Sequence, residues 1–354
     1  MSKKINLKSL SRDEIAGFTE GQGLPKYRTD QLLNWIYARY ATSLDEITEF
    51  SKDLRNRLGE VACIGSLEVV KRERSADGTE KFLFGLEDGQ TVESVLIPDR
   101  DRLTLCISSQ VGCAMGCRFC LTGRSGLTRN LKAWEIVDQI LSVNRLIMPK
   151  KITNIVFMGM GEPLANFDEV VDALKRILTF VGISKRKITL STAGLVPKIA
   201  ELPGKAPDVN LAISLNATTD AVRDRIMPIN KKYPIRSLIE ACRRYPLKPR
   251  RMITFEYVLI AGVNDSVEDA GRLVRLLKGL RCKVNLIPLN PHEESDLQRP
   301  PDETVLAFQK VLADNKMTAL IRESKGQDIF AACGQLRGRY SAEQGRACRM
   351  ERSG

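Results

Sequence analysis

The reading of this 354-residue chain turns on Cys106-Ile107-Ser108-Ser109-Gln110-Val111-Gly112-Cys113-Ala114-Met115-Gly116-Cys117-Arg118-Phe119-Cys120. Four of the nine cysteines fall in this stretch, and Cys113, Cys117 and Cys120 have the spacing C-x3-C-x2-C. A loop this short can aim three thiolates at one inorganic centre. A structural zinc ion usually takes four N/S ligands from two separated pairs, whereas this chain has one histidine, His292, and no second C-x2-C. Iron–sulfur clusters normally take four thiolates, so three would leave one iron of a 4Fe–4S cluster open. An open metal position points to catalysis rather than scaffolding.

The loop with its aromatic residue before the last cysteine resembles the signature of radical S-adenosylmethionine (SAM) enzymes. In that superfamily the open iron binds the amino and carboxylate groups of SAM, and an electron from the cluster splits SAM into methionine and a 5′-deoxyadenosyl radical.

Working outward, the hydrophobic period changes three times. Residues 9–60 carry helical spacing, with Ser11-Arg12-Asp13-Glu14 placed as a capping box and residues 27–40 apolar at helical intervals. Residues 66–72, 81–86 and 91–98 are β-rich, separated by Asp77-Gly78 and Asp88-Gly89 turns, which predicts a short antiparallel meander ending near Glu93. From residue 102 onward, strands at 103–108, 154–158, 187–191, 210–215, 253–259 and 284–288 alternate with helices near 132–147, 168–180, 195–202, 235–245 and 266–279. An edge strand at 318–322 follows. Such βα repeats imply right-handed crossovers and a parallel sheet, open or curled into a full or partial barrel. The expected division is a helical accessory domain at 1–62, a linking meander at 63–100, a core at 101–330 and a C-terminal segment at 331–354.

Catalytic groups of parallel α/β folds gather at strand C-termini, and the suggestive sequences fall there. After the cysteine loop come Gly159-Met160-Gly161-Glu162-Pro163, Ser191-Thr192-Ala193-Gly194, Ser214-Leu215-Asn216 and Ile287-Pro288-Leu289-Asn290. Gly159 and Gly161 would let the backbone approach a ligand, and Glu162 offers a carboxylate to a cation such as the SAM amine. Ser191, Ser214 and Asn290 are short polar side chains that could orient SAM or, equally, cap local helix starts.

The net charge of +12 and pI near 9.3 suggest a polyanionic partner. From Arg223 to Arg251 ten Lys/Arg face two acids, and from Arg118 to Lys151 seven face two, while residues 1–60 are nearly balanced. A solvated helix face accounts equally well for any single residue of these runs. No apolar signal region follows the basic residues 1–12, and no run of 18 apolar residues could span a membrane. The expectation is a cytoplasmic, monomeric protein with reduced thiols and no membrane partner.

Further motifs narrow the resemblance. Glu93 lies twenty residues before Cys113, and Cys333 stands in Ala331-Ala332-Cys333-Gly334-Gln335-Leu336. With Phe119-Cys120-Leu121-Thr122-Gly123, Arg129-Asn130-Leu131, Gly-Met-Gly-Glu-Pro-Leu and Met227-Pro228-Ile229-Asn230, the chain resembles the RlmN/Cfr-like radical-SAM RNA methyltransferases over nearly its whole length. Pro163 after Gly-Glu is closer to the adenine-C2 branch than to the C8 branch, which shares the cysteines.

The resemblance implies an α/β radical-SAM fold, a partial (βα)6 TIM-type barrel carrying a small N-terminal helical module and the meander. It implies a 4Fe–4S cluster on Cys113, Cys117 and Cys120, and SAM contacts from Gly161, Glu162, Ser191, Ser214, Leu215, Asn216 and Asn290. It further implies methylation of adenine C2 in 23S rRNA and in tRNA with two SAM per turnover, and a flavodoxin-like electron donor. Cys333 would carry the methyl group, Glu93 would be the general base, and Cys106 would resolve the RNA adduct through a transient Cys106–Cys333 disulfide. The basic runs would grip phosphates, and the target base would leave its stack. One departure is Asn216, where this family usually reads Ser-Leu-His; Asn keeps a donor and an acceptor but cannot carry charge. Cys63, Cys242, Cys282, Cys348 and His292 match no motif and are expected to be structural or incidental. C8 methylation, and an RNA-binding protein with an inert metal knuckle, stay open as alternatives at this level.

Overall fold

The computed structural model describes residues 4–291 and 295–337; His292 and Cys348 lie outside them. The N-terminal module consists of β1 (Ile5–Asn6), α1 (Arg12–Gly21), α2 (Tyr27–Tyr37), α3 (Lys52–Val61) and β2 (Ala62–Cys63), with β1 and β2 paired parallel. The predicted capping box is present, the Ser11 hydroxyl accepting from Glu14 N and the Glu14 carboxylate from Ser11 N. Two buried cations tie this module to the rest. Lys8 Nζ donates to Asp138, whose other oxygen accepts Leu67 N at 2.7 Å, and Arg176 donates to the carbonyls of Lys8, Ser9 and Leu10.

The meander forms as β3 (Glu68–Arg74), β4 (Glu80–Gly85) and β5 (Thr91–Asp99), with Gly78 and Gly89 at positive φ in its two turns. Glu93 is the third residue of the last strand rather than its end. Nor is the meander detached, because β5 pairs antiparallel with β6 (Arg102–Cys106) and so extends the core sheet.

Past β6 come the short hairpin partner β7 (Gln110–Gly112), α4 (Leu121–Arg124) and β8 (Leu127–Asn130), which pairs with β7. Then α5 (Ala133–Ile147), β9 (Asn154–Phe157), α6 (Phe167–Arg176), β10 (Ile188–Thr192), α7 (Val196–Lys205), β11 (Asn210–Ser214), α8 (Asp220–Ile226) and α9 (Ile235–Arg244) alternate. Next follow β12 (Ile253–Leu259), α10 (Val267–Leu277), β13 (Cys282–Pro288), α11 (Asp302–Asp314) and β14 (Ala319–Ile321). The predicted helix at 168–180 is α6 followed by one π turn, Ile177–Val181, stopped by Gly182 in the left-handed region.

One ten-stranded sheet results, in the order β14-β13-β12-β11-β10-β9-β6-β5-β4-β3. From β6 to β14 all neighbours are parallel, so seven parallel strands stand where six were read with a possible edge strand. Its strands are apolar because helices cover one face, as Ile155, Leu211, Ile213, Phe255, Val284 and Leu286 show by their complete or near-complete burial. Helix α5 illustrates the cover: Gln139 accepts from Ser94 Oγ and Ser108 N while its neighbours pack on the sheet. The parallel order leaves all the strand C-termini at one end. No helix among the described residues is long and apolar enough to cross a membrane.

Candidate active site

At that end, Cys113, Cys117, Cys120, Gly161, Glu162, Ser191, Ser214, Asn216 and Cys333 line one cavity, together with Met115, Phe119, Glu256 and Ile287. Four strands contribute through their ends, and β12 through its middle.

The cysteine loop is built tightly. Gly112 has φ +76°, and a Cβ there would fall 1.9 Å from the carbonyl oxygen of Gly126, so only glycine lets β7 close on β8. Cys113 N then donates to that oxygen, and Cys120 N to Cys117 O. Burial is the first cause that raises all three thiols: Cys113 is pushed up to about 12, Cys117 well above the usual range, and Cys120 upward. Apolar surroundings thus disfavour free thiolates, and a cationic centre would favour them. Among the described residues no three Cys, His, Asp or Glu side chains converge on a point that one metal ion could occupy. A 4Fe–4S cluster needs no such convergence, because each thiolate binds a different iron at a different corner. Three soft donors on one cavity wall, Cys113 buried and Cys117 and Cys120 half-buried, therefore fit a cluster better than a single ion.

Glu162 is buried, with one carboxylate oxygen accepting Ala193 N at 2.7 Å and the other Leu164 N at 3.0 Å. Burial raises its pKa while these amides lower it. The carboxylate is thereby held rigidly in the wall. The glycines before it are required by the chain's own packing. A Cβ on Gly159 would sit 2.7 Å from Ile107 O, and one on Gly161, at φ +101°, 2.6 Å from Gln110 Cβ. Their smallness seats the turn against β6 and β7, and Gln110 Oε1 then accepts Glu162 N at 2.8 Å.

Not every residue expected to contact SAM reaches the cavity. Leu215 is wholly buried in the main apolar core, because the sheet alternates and Ser214 takes the cavity face. Asn290 is buried beside the C-terminal segment, donating to Cys333 O at 3.4 Å. Asn216 does line the cavity, in a left-handed conformation (φ +56°) that Asn tolerates. Its side chain is engaged within the fold, Oδ1 accepting Val258 N and Nδ2 donating to Met227 Sδ.

Cys333 is brought across more than two hundred residues to the cluster loop. Leu121 N donates to Gly334 O at 2.7 Å, Thr122 Oγ1 to Leu336 O at 2.7 Å, and Gln335 Nε2 to Pro291 O at 3.1 Å. Gly334, at φ +85°, passes so close to Phe119 O that a Cβ would stand 2.9 Å away. The Cys333 side chain is open to the cavity mouth yet hemmed in by protein, and this desolvation, with Glu256 next, pushes its thiol up to about 11.

Cys106 and Glu93 lie behind it. In the β5–β6 ladder Val95 faces Cys106, so Glu93, two residues earlier, shares a sheet face with Cys106. The Cys106 thiol is buried and raised, first by desolvation and then by Cys333. Glu93 accepts Arg337 N at 2.8 Å and lies 3.6 Å from Lys81 Nζ.

Two functional-looking residues escaped the sequence reading. Glu256, in the middle of an otherwise apolar strand, was marked only by its charge. Arg223 was counted in a basic run, yet it is fully buried and donates to the carbonyls of Leu215, Ala193 and Ser214 and to Asn230 Oδ1. It organises the strand ends and cannot grip RNA. Arg129 is likewise committed to Asp88 and Glu135. Arg225, Lys231, Lys232, Arg243, Arg244 and Arg250 do remain exposed. Cys242 and Cys282 are buried in the core and Cys63 is half-buried.

Residues 107–274 match the Radical SAM superfamily, and residues 5–64 match the ribosomal RNA large subunit methyltransferase N-terminal domain. The Dual-specificity RNA methyltransferase RlmN of Geotalea uraniireducens is 53% identical over 95% of this chain and 98% of its own length. That of Geobacter sulfurreducens is 54% identical over 97% and 94%. A radical SAM methyltransferase from Sphaerobacter thermophilus superposes with a TM-score of 0.91 at 43% identity, over 95% of this chain and all of that one. These relationships imply a 4Fe–4S cluster and SAM as cofactors and RNA as substrate. With half its residues identical across nearly full length, the chain belongs to the RlmN family of radical SAM RNA methyltransferases.

Proposed function

We propose that the enzyme methylates C2 of an adenosine in 23S rRNA and of an adenosine in tRNA, with Cys333 as the methyl carrier. The observation that carries this reading is the stitching of the Cys333 segment to the cysteine loop, with Cys106 and Glu93 on the adjoining sheet face. Cys113, Cys117 and Cys120 would hold the cluster, and Gly161, Glu162, Ser191, Ser214 and Asn216 would surround SAM. When bound, the cluster and SAM supply a 5′-deoxyadenosyl radical that can take a hydrogen atom from a thioether methyl group, the reactivity that an electron-poor ring carbon requires.

The chain's own residues do the rest. Cys333, as thiolate, accepts a methyl group from one SAM and later joins RNA through that carbon. Glu93 removes the C2 proton while the adduct gives up the odd electron left by radical addition to the electron-transfer side, and this requires its carboxylate to exchange the Arg337 amide for the base. Cys106 then forms an S–S bond to Cys333 while the bond from Cys333 sulfur to the new methyl carbon breaks, and that carbon takes a proton. A cellular reductant restores both thiols. Both thiols are raised in the resting protein, so each attack needs local deprotonation.

The same reading includes a flavodoxin-like electron donor, action as a monomer in the cytoplasm where both RNAs are made, and an accessory helical domain at residues 1–62. Residues 63–100 would link that module to the core at 101–330, and residues 331–354 would deliver Cys333. The test is Cys106→Ala: it should accumulate a covalent enzyme–RNA adduct on a denaturing gel. Normal turnover without adduct would remove Cys106 from the mechanism. C8 methylation remains the second reading, because the cysteines serve it equally.

A further inference from the structure

Glu256 is a carboxylate in an unusual position. It sits mid-strand on β12, is 7% exposed, and lines the same cavity as Cys333. In register across three parallel strands, Ser214, Glu256 and Asn285 form a row on one sheet face. Asn285 Nδ2 donates to Glu256 Oε1 at 2.9 Å, the one hydrogen bond of this carboxylate among the described residues. No cation stands at ion-pair distance from it there; Arg322 and Lys283 act only from farther away. A buried carboxylate left without a cation is costly to a fold and is characteristic of working sites. Burial pushes Glu256 up to about 7, and among charged neighbours it has the largest effect on the Cys333 thiol.

We propose that Glu256 is the proton acceptor that primes Cys333 for methylation. This rests on Cys333 being the methyl carrier. In the step, the Cys333 S–H proton passes to the free oxygen of Glu256 and the sulfur attacks the methyl carbon of SAM. The new S–CH3 bond forms as the sulfonium C–S bond breaks, leaving S-adenosylhomocysteine, methyl-Cys333 and a neutral Glu256. Charge balances because thiolate and sulfonium neutralise one another. Glu93 is engaged by Arg337 N and Lys81 in the resting chain, and its part comes later, at the C2 proton. A carboxylate poised near neutrality suits the first transfer.

Glu256→Gln separates this role from a merely structural one by moving two readouts in opposite directions. Removing the anion should make free Cys333 more reactive, so its alkylation by iodoacetamide at pH 8 should quicken several-fold in the reconstituted protein. Methyl transfer from labelled SAM to Cys333, followed by mass spectrometry of its peptide, should fall on the order of a hundredfold. Glu256→Asp, which keeps the carboxylate, should recover part of the methyl transfer. SAM affinity, read by equilibrium dialysis, should stay within a few-fold.

Methyl transfer at the wild-type rate in Glu256→Gln overturns the proposal, as does a tenfold loss of SAM affinity, which would make Glu256 a SAM ligand. If Gln does not fold, Asp with no methyl transfer and unchanged alkylation overturns it as well. Wild-type protein that never carries methyl on Cys333 breaks the methyl-carrier reading itself and the inference with it. Methylated wild type beside equally methylated Glu256→Gln breaks the inference alone.

Discussion

Buried charge is handled in opposite ways at the two ends of this molecule. Where the N-terminal module meets the core, Lys8 pairs with Asp138, Leu67 N fills the second carboxylate oxygen, and Arg176 satisfies three carbonyls. At the strand C-termini, Glu162 is held by two amides, while Glu256 has one amide donor and no cation at ion-pair distance among the described residues. Paired burial fixes architecture, since desolvation is offset locally. Burial without a countercharge leaves a group whose protonation can change, which chemistry can use.

The largest effect expected lies at the cavity end. Replacing any of Cys113, Cys117 or Cys120 with Ala should abolish both the visible absorption of the anaerobically reconstituted protein and all methylation, while thermal unfolding shifts little. A variant that keeps the absorption would remove that cysteine from the cluster. At the other end, Asp138→Ala strands Lys8 in the core and should cost about 3–5 kcal/mol in denaturant unfolding. Should it cost under about 1 kcal/mol, the paired charges do not anchor the module.

Gly161→Ala sharpens the contrast within the cavity. The strained φ and the clash with Gln110 should destabilise the fold by about 2–4 kcal/mol and weaken SAM binding through Glu162. The smallest effect is a pH dependence. Glu256 binds its proton more tightly folded than unfolded, because burial raises it from 4.5 to about 7. Its contribution to stability therefore falls as pH rises from about 4.5 through about 7. Glu256→Gln should flatten that window and gain on the order of 2 kcal/mol at pH 8. A stability profile identical to wild type would show that the carboxylate is not buried without support.

The same contrast explains what could be read from sequence. Strand-end motifs were legible because they break the apolar rhythm where a parallel fold puts its site, so the cysteine loop, Glu162, Ser191 and Ser214 were found on one cavity. The βα alternation similarly predicted the parallel sheet, since strands covered on one face by helices stay apolar. Glu256 was passed over because it lies inside a strand, where period and boundary carry no hint of a site. Arg223 was misplaced because a run of basic residues does not reveal which one points inward. Glycine marks a close approach without naming the partner, and at Gly159 and Gly161 the partner is the chain's own β6–β7 segment. Leu215 was included with its neighbours although strand alternation turns it to the core.

Which carbon is methylated, and by what route, can be read directly from the product. Reconstituted enzyme should be given SAM with a deuterated methyl group, a reductant, and 23S rRNA or tRNA, and the modified nucleoside identified by mass spectrometry against authentic standards. The expected product is 2-methyladenosine in both RNAs, and none from Cys333→Ala. Formation of 8-methyladenosine, or of 2-methyladenosine by Cys333→Ala, would contradict it.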